Sequence, residues 1–228
     1  MSQILSAKDL AIARRLEPTS LTVERGQLVG LIGPNGSGKT SLLHALAGIP
    51  PATGDVVITG RQPGKLPPAA RQRLFTFLPA SRDVTWPLAA RHFIELALPA
   101  GSDWSGLADR FELEPLLDRR MDRLSTGERT RVMIARALAP DPLVLLLDEP
   151  LANLDPYWQV VLLDELRDRA TRAGRSAIVA IHDLRAALNW SDRVLLMNER
   201  RLWADGAPAH LRASGQLQAV FRVGPEQL

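Results

Sequence analysis

The chain has 228 residues, of which 46% are apolar and 23% charged, a composition typical of a globular protein of one or two domains. Its net charge is only +3, so the high pI of about 9.9 reflects the use of arginine in place of lysine rather than a nucleic-acid-binding surface. The absence of cysteine excludes disulfides, thiolate metal sites and a cysteine nucleophile. No apolar run approaches the roughly 20 residues of a membrane-spanning helix, and no signal peptide is recognisable, so we expect a soluble intracellular chain.

Glycine and proline residues divide the chain into short segments with strand or helix patterns. The predicted strands cover residues 21–23, 27–32, 55–59, 74–78, 143–147, 176–181 and 193–197. The predicted helices cover residues 39–47, 156–172 and 183–189, and helical patterns dominate from about 84 to 138. Because apolar strands that alternate with helices are typical of a parallel sheet covered on both faces, the sequence predicts an α/β fold.

The helical middle of the chain is predicted to be an insertion between strands of the sheet. We expect one domain, in which residues 1–83 and 139–206 form a core lobe. Residues 84–138 then form a helical subdomain, and residues 207–228 form a short helical tail.

A glycine-rich loop follows the second predicted strand and satisfies the pattern G-x-x-x-x-G-K-[ST]. Its backbone N–H groups and the start of the following helix can donate hydrogen bonds to phosphate oxygens. Lys39 can contact the β- and γ-phosphates, and the Thr40 hydroxyl can bind Mg²⁺. A structural turn with an accidental Lys-Thr is the alternative, but the strand before and the helix after favour a nucleotide site. The candidate nucleotide-binding residues here are Gly33, Pro34, Asn35, Gly36, Ser37, Gly38, Lys39, Thr40 and Ser41.

A second candidate site lies at the end of the apolar strand over residues 143–147. Asp148 is placed to hold the metal, and Glu149 to act on the attacking water, which are the further functions that hydrolysis of a nucleoside triphosphate requires. Two carboxylates in solvent at a strand end are the alternative. The phosphate loop earlier in the chain favours the catalytic interpretation.

Three further motifs have both a structural and a functional interpretation. Ser125 and Glu128 form a capping-box pattern within Leu-Ser-Thr-Gly-Glu-Arg, Asp155 precedes proline as a helix cap, and His182 ends a strand. Each is common for structural reasons alone. Their order after the phosphate loop resembles that of the ATP-binding-cassette (ABC) ATPases, and the resemblance covers essentially the whole chain.

This resemblance implies a P-loop NTPase fold with a mainly parallel sheet, antiparallel N-terminal strands and an inserted helical subdomain. It implies that ATP and Mg²⁺ are bound and that Lys39, Glu149 and His182 are catalytic. It also implies that Ser125, Gly127, Glu128 and Asp155 contact ATP held by a second copy of the chain, head to tail.

The resemblance extends to the ATPase subunits of importers for iron–siderophores, haem and cobalamin. It implies a peripheral protein at the cytoplasmic face of the plasma membrane, with permease subunits as partners and, indirectly, a substrate-binding protein. Residues 80–98 would form the docking groove, with Trp86, Leu88 and Phe93 either as anchors or as core residues. An ATP-binding regulatory cassette with poor hydrolysis, and a soluble ABC ATPase outside transport, are the alternatives.

The sequence departs from the family pattern in three places. Ala80 stands where the family usually has a glutamine that touches Mg²⁺, so we expect slow hydrolysis that a permease stimulates weakly. Residues 1–74 contain no aromatic side chain to stack on adenine, which leaves Arg14 or Arg15 for this role. Thr126 replaces the first glycine of the signature motif.

Overall fold

Two β-sheets and nine helices make up the part of the chain that the structure, a computed structural model, describes: residues 2–81, 84, 86–99, 101–222 and 224. The strands are β1 (Gln3–Ile12), β2 (Leu16–Glu24), β3 (Leu28–Ile32), β4 (Thr53–Ile58), β5 (Phe75–Leu78), β6 (Val144–Asp148), β7 (Ser176–Ala180), β8 (Arg193–Asn198) and β9 (Arg201–Gly206). The helices are α1 (Lys39–Leu46), α2 (Pro68–Leu74), α3 (Ala90–Glu95), α4 (Ser105–Arg110), α5 (Thr126–Leu138), α6 (Pro156–Ala173), α7 (Leu184–Trp190), α8 (Pro208–Ala213) and α9 (Gln216–Phe221).

The central sheet has six strands in the order β5-β6-β7-β3-β8-β9. The first five are parallel, and β9 alone runs antiparallel to its neighbour β8. Every residue of β3, β6 and β7 is buried, as expected for strands covered by helices on both faces. The predicted α/β fold with a mainly parallel sheet is confirmed.

A second, antiparallel sheet has three strands in the order β2-β1-β4. Strand β1 is not among the predicted strands, because register irregularities between Ala7 and Leu10 and between Leu10 and Ile12 break the alternation of apolar residues. The N-terminal antiparallel strands implied by the family resemblance are confirmed.

The register of the central sheet brings three strand ends to one level. Ala180 at the end of β7 lies opposite Leu31 of β3 on one side and Asp148 of β6 on the other. Carboxyl ends of parallel strands form the edge at which α/β proteins commonly bind ligands. The phosphate loop, the Asp148–Glu149 pair and His182 therefore all leave the sheet at this edge.

The segment from 84 to 138 contains short helices rather than a continuous helical run. α3 and α4 have six residues each, and one-turn 3₁₀ segments at Glu114–Leu116 and Met121–Arg123 precede the longer α5. Phe111 and Leu117 belong to the same buried cluster as Leu145 of the sheet. The segment thus shares its hydrophobic core with the central sheet.

Strand β9 has no counterpart among the predicted strands. It is an edge strand whose residues alternate between exposed and half-buried, so it lacks the apolar signal of the inner strands. Beyond it, α8 and α9 form the predicted helical tail. Within the described ranges, no helix is long and apolar enough to cross a membrane.

Candidate nucleotide site

The phosphate loop leaves β3 at a position that only glycine can occupy. Gly33 has φ 152°, and a Cβ there would lie 2.3 Å from the carbonyl oxygen of Met197 and 2.6 Å from the Ser37 hydroxyl. Gly38, with φ 103°, is the N-cap of α1, and no side chain caps this helix. The N–H groups at the start of α1 are therefore left for a ligand, as in other phosphate-binding helix starts.

Lys39 is held across the loop by its own backbone. The ammonium Nζ donates to the carbonyl of Gly33 at 2.8 Å and to that of Pro34 at 3.2 Å, and the residue is only 6% exposed. Burial lowers the pKa of Lys39, while the nearby carboxylates of Glu149 and Asp148 oppose this shift. An ammonium carries three donors, so two contacts with the loop leave one for a phosphate oxygen.

Asp148 ends β6 and is fully buried. Burial raises the pKa of this carboxyl, and the nearby Thr40 hydroxyl is the largest opposing influence. A hydroxyl near a carboxylate provides oxygen ligands of the kind that Mg²⁺ prefers. The Thr40–Asp148 pair therefore fits the predicted metal site, and a divalent cation would favour the charged carboxylate.

Glu149 and His182 meet at the next positions along the same edge. His182 Nε2 lies 2.5 Å from Glu149 Oε1, and the imidazole is half-exposed. Glu149 has a left-handed backbone with φ 51°, a conformation that is uncommon for this residue type and recurs at functional sites. Asp183 instead caps α7 by accepting from the Ala186 N–H at 3.0 Å, so capping does not involve His182.

The cleft above the phosphate loop fits a triphosphate. It measures about 370 Å³, and positive side chains and loop backbone surround it. Ser37 supports the fit, because its hydroxyl is buried and has no hydrogen-bond partner among the residues that the structure describes. The lining residues are Arg14, Arg15, Asn35, Gly36, Ser37, Gly38, Lys39, Thr40, Ser41, Glu149 and Arg200.

The predicted signature motif forms a complete capping box at the start of α5. The Ser125 N–H donates to Glu128 Oε2 at 2.8 Å, and the Glu128 N–H donates to the Ser125 hydroxyl at 3.3 Å. Arg119 donates to the other Glu128 oxygen at 2.7 Å. These hydrogen bonds, with the one to the Ser125 N–H as the largest influence, hold the pKa of Glu128 below its ordinary value of 4.5. The structural interpretation of this motif is therefore realised.

Asp155 has the predicted capping role at α6. Its side chain accepts from the Trp158 N–H at 3.2 Å, and Pro156 occupies the first helical position. The loop before it touches the start of α5, because a Cβ at Gly127 would lie 3.3 Å from the carbonyl oxygen of Asn153. The Gly127 and Asp155 segments therefore adjoin each other.

The structure divides the candidate residues into two groups. The phosphate loop, Asp148, Glu149 and His182 lie together at one edge of the sheet, whereas Ser125, Gly127, Glu128 and Asp155 do not line the cleft. Arg200 was not among the predicted site residues; it lies in the turn between β8 and β9 and lines the cleft. The turn that carries Arg200 was not recognised because strand β9, which completes the hairpin, was not predicted.

The proposed docking segment is partly exposed. Trp86 is 59% exposed, Leu88 is half-buried, and Leu88 and Leu96 line a cleft of about 660 Å³ beside α3. Of the two interpretations of Phe93, the structure supports the core residue, because this ring is 6% exposed and packs under the Arg136 guanidinium at 4.2 Å. Ala80 is exposed, two residues after β5.

Comparison with known proteins agrees with this geometry. A family model described as ABC transporter matches residues 16–152. A hemin import ATP-binding protein of Bordetella avium is 35% identical, with 98% of this chain and 94% of that protein covered. A vitamin B12 import ATP-binding protein of Yersinia enterocolitica is 33% identical, with 96% and 92% covered.

The fold agrees as well. A solved structure described as the ATP-binding subunit of an ABC transporter has a TM-score of 0.81 and 25% sequence identity, and the match covers 96% of this chain and 93% of that one. Together with the phosphate loop and the Glu149–His182 pair, these matches show that the chain belongs to the ABC transporter family, as an ATP-hydrolysing subunit that powers transport.

Proposed function

We propose that this chain is the ATPase subunit of an importer for iron–siderophore, haem or cobalamin-type chelates. The observation that carries the proposal is that Lys39, Glu149 and His182 converge at one edge of the sheet. The relatives named for hemin and vitamin B12 import support the substrate class.

The phosphate loop binds and orients the nucleotide. Backbone N–H groups of residues 33–38 and the start of α1 hold the phosphate oxygens, and Lys39 adds a charge-assisted contact from a largely buried position. Thr40 and Asp148 would hold Mg²⁺, which neutralises phosphate charge when bound. ATP and Mg²⁺ are therefore the proposed ligands of this cleft.

Glu149 and His182 carry the hydrolytic step. The carboxylate is the group that accepts a proton from, or orients, the water that attacks the γ-phosphorus in line with the leaving ADP oxygen. The imidazole 2.5 Å away fixes the orientation of the carboxylate and can donate to a phosphate oxygen. The products are ADP and inorganic phosphate.

A second copy of the chain completes the site in this proposal. Ser125 and Gly127 lie at the start of α5, a helix of 13 residues, and do not line the cleft of their own chain. A head-to-tail dimer would bring them, with Glu128 and Asp155, to the phosphates of the partner. Two ATP molecules then lie between the copies, and hydrolysis releases the contact.

The permease is the proposed membrane partner, and a substrate-binding protein acts through it. Exposed Trp86 and the apolar cleft beside α3 support this docking surface, and docking there would hold the chain at the cytoplasmic face of the plasma membrane. Because Ala80 has no side chain that reaches the metal, we infer weak stimulation of hydrolysis by the permease. The proposed helical subdomain, residues 84–138, carries both this surface and Ser125.

The test is transport by vesicles that contain a metal-chelate permease and hold haem, cobalamin or a ferric siderophore inside, with ATP and this protein added on the outside, which then corresponds to the cytoplasm. We expect ATP-dependent release of the chelate from the vesicles, and ATPase activity of the purified chain that rises modestly with permease. A chain that binds ATP but does not hydrolyse it would favour the regulatory cassette. Active hydrolysis with no association with a permease would favour a soluble ABC ATPase.

A further inference from the structure

The turn between β8 and β9 lies against the back of the phosphate loop through Arg200. The Arg200 N–H donates to the Ser37 carbonyl at 3.0 Å, and the Arg200 carbonyl accepts from the Glu17 N–H at 2.8 Å. A Cβ at Gly38 would lie 3.3 Å from both the Arg200 Cα and the Arg15 carbonyl oxygen. Arg200 and Arg15 therefore approach the loop from the same side.

The backbone at this turn is unfavourable for the residues it carries. Asn198 pairs with Arg201, which makes Glu199 and Arg200 a two-residue hairpin turn, with φ 49° and 67°. Such turns favour asparagine and glycine because both central residues are left-handed. A long charged side chain in this conformation is a feature that recurs where the side chain has a function.

Three of the cations that line the cleft have no ion pair among the described residues. Arg14, Arg15 and Arg200 are exposed, and none of them has an ion pair or a side-chain hydrogen bond within the described ranges. On the strands that flank the turn, Arg193 pairs with Asp205, and Arg201 lies 3.7 Å from Glu199. Unpaired guanidinium groups at one rim favour a ligand that is anionic or rich in π electrons.

The position of Arg200 indicates which part of the nucleotide it reaches. It contacts a carbonyl of the phosphate loop, whereas phosphates bind to the N–H groups of such a loop. The described residues that line the cleft include no aromatic ring, so no aromatic side chain is available there to stack on a base. A guanidinium plane can stack on a base, and a lysine ammonium cannot.

We propose that Arg200 is a specificity-determining residue that, beside Arg15, holds the nucleoside half of the nucleotide by guanidinium stacking. This inference rests on the proposed nucleotide site. It assigns to the β8–β9 turn a role in base recognition and leaves the phosphates to the loop and Lys39.

The test compares ATP with inorganic tripolyphosphate, which lacks the nucleoside, by calorimetric titration. Glycine suits φ 67°, so Arg200→Gly keeps the turn and removes only the side chain. We expect it to weaken ATP binding about five- to tenfold, the lower end of the range for a stacking contact with a base, and to leave tripolyphosphate binding unchanged. Arg222→Gly is the matched control, because Arg222 is an exposed arginine with φ 56° in the C-terminal tail.

A second substitution separates stacking from charge. Arg200→Lys keeps the charge and loses the plane, so it should bind ATP as weakly as Arg200→Gly. Wild-type ATP affinity in either variant, or an equal loss for tripolyphosphate, would overturn the inference. Arg200→Asn, which also tolerates a left-handed backbone, should repeat the result if the glycine variant unfolds. A wild-type chain that binds neither ligand would overturn the nucleotide site as well.

Discussion

Two helix starts carry the motifs that identify this family, and they are built in opposite ways. α1 begins at Lys39 behind a glycine, with no side-chain cap and no acidic residue in its first turn. α5 begins behind Ser125 with a reciprocal capping box, an acidic residue in its first turn and a salt bridge from Arg119 to Glu128. The first leaves its N–H groups to a ligand, and the second satisfies its Glu128 N–H within its own chain.

The difference separates a self-contained site from a contact surface. The start of α1 carries Thr40 near Asp148 and is lined by cations, so it has the charge and the shape to bind a polyanion alone. The start of α5 is already stabilised, and an arriving phosphate would have to compete with Glu128. We therefore expect substitutions in the first region to affect binding and chemistry, and those in the second to affect assembly and stability.

The strongest test of the first region is Glu149→Gln. An amide keeps the shape of the carboxylate but cannot accept a proton, so hydrolysis should fall by roughly 10²- to 10⁴-fold while ATP still binds. Steady-state ATPase assays and nucleotide titration measure the two quantities. Glu114→Gln, an exposed glutamate outside the site, should leave both unchanged. A variant that hydrolyses ATP at the normal rate would contradict the assigned role of Glu149.

Lys39→Ala should chiefly reduce binding. A hydrogen bond to a charged group contributes about 1.5–3 kcal/mol, so ATP affinity should fall roughly ten- to a hundredfold. The control is Lys65→Ala, which removes an exposed lysine away from the cleft. An unchanged dissociation constant for Lys39→Ala would mean that the phosphate loop does not hold the nucleotide.

Two substitutions at Ser125 separate capping from assembly. Ser125→Ala removes the cap and should lower the free energy of unfolding by about 0.5–2 kcal/mol, and hydrolysis should also fall. Ser125→Asp is an equally good cap, but its charge repels phosphate, so stability should persist while hydrolysis and ATP-dependent dimerisation are lost. Chemical denaturation, ATPase assays and gel filtration with ATP measure these effects. Full hydrolysis by the aspartate variant would argue against a role of Ser125 in a partner site.

The smallest effect concerns the pH dependence of the α5 cap. The pKa of Glu128 is lowered in the folded protein, so its ionised form stabilises the fold above its ordinary pKa of 4.5. This contribution is lost as the pH falls below 4.5 towards the lowered value. Glu128→Gln keeps a capping-box residue but has no charge. The difference in unfolding midpoint between wild type and this variant should shrink as the pH falls from 7 to below 4.5. A difference that stays constant would contradict a stabilising role of the Glu128 charge.

The inner strands and the phosphate loop were predictable because their signals are local. Apolar runs such as residues 144–147 favour burial, and the glycines of the loop limit its conformation to one that suits phosphate. The pairing of Glu149 with His182 needed the sheet register, since 33 positions (182 − 149) separate the two in sequence and β7 brings them together.

The β8–β9 hairpin could not be predicted by the same reasoning. Its turn residues are Glu199 and Arg200 rather than asparagine and glycine, and β9 buries no complete face. Phe93 was ambiguous because an aromatic residue in a short helix fits a core and a binding surface equally well. The contact of Phe93 with Arg136, 43 positions later in sequence, shows that Phe93 belongs to the core.

The two backbone hydrogen bonds of Arg200 have a consequence for dynamics. They connect the phosphate loop, the end of the central sheet and β2 of the small sheet in a single chain of contacts, from Ser37 through Arg200 to Glu17. A nucleotide that binds the native phosphate loop stabilises the loop and every segment that unfolds together with it. The gain in stability grows with the logarithm of the nucleotide concentration. The amide protons of Arg200 and Glu17 should therefore exchange with solvent more slowly when the cleft is filled, although neither amide faces the phosphates. The exchange rates of these two amides, which lie between the two sheets, therefore report whether a nucleotide occupies the cleft.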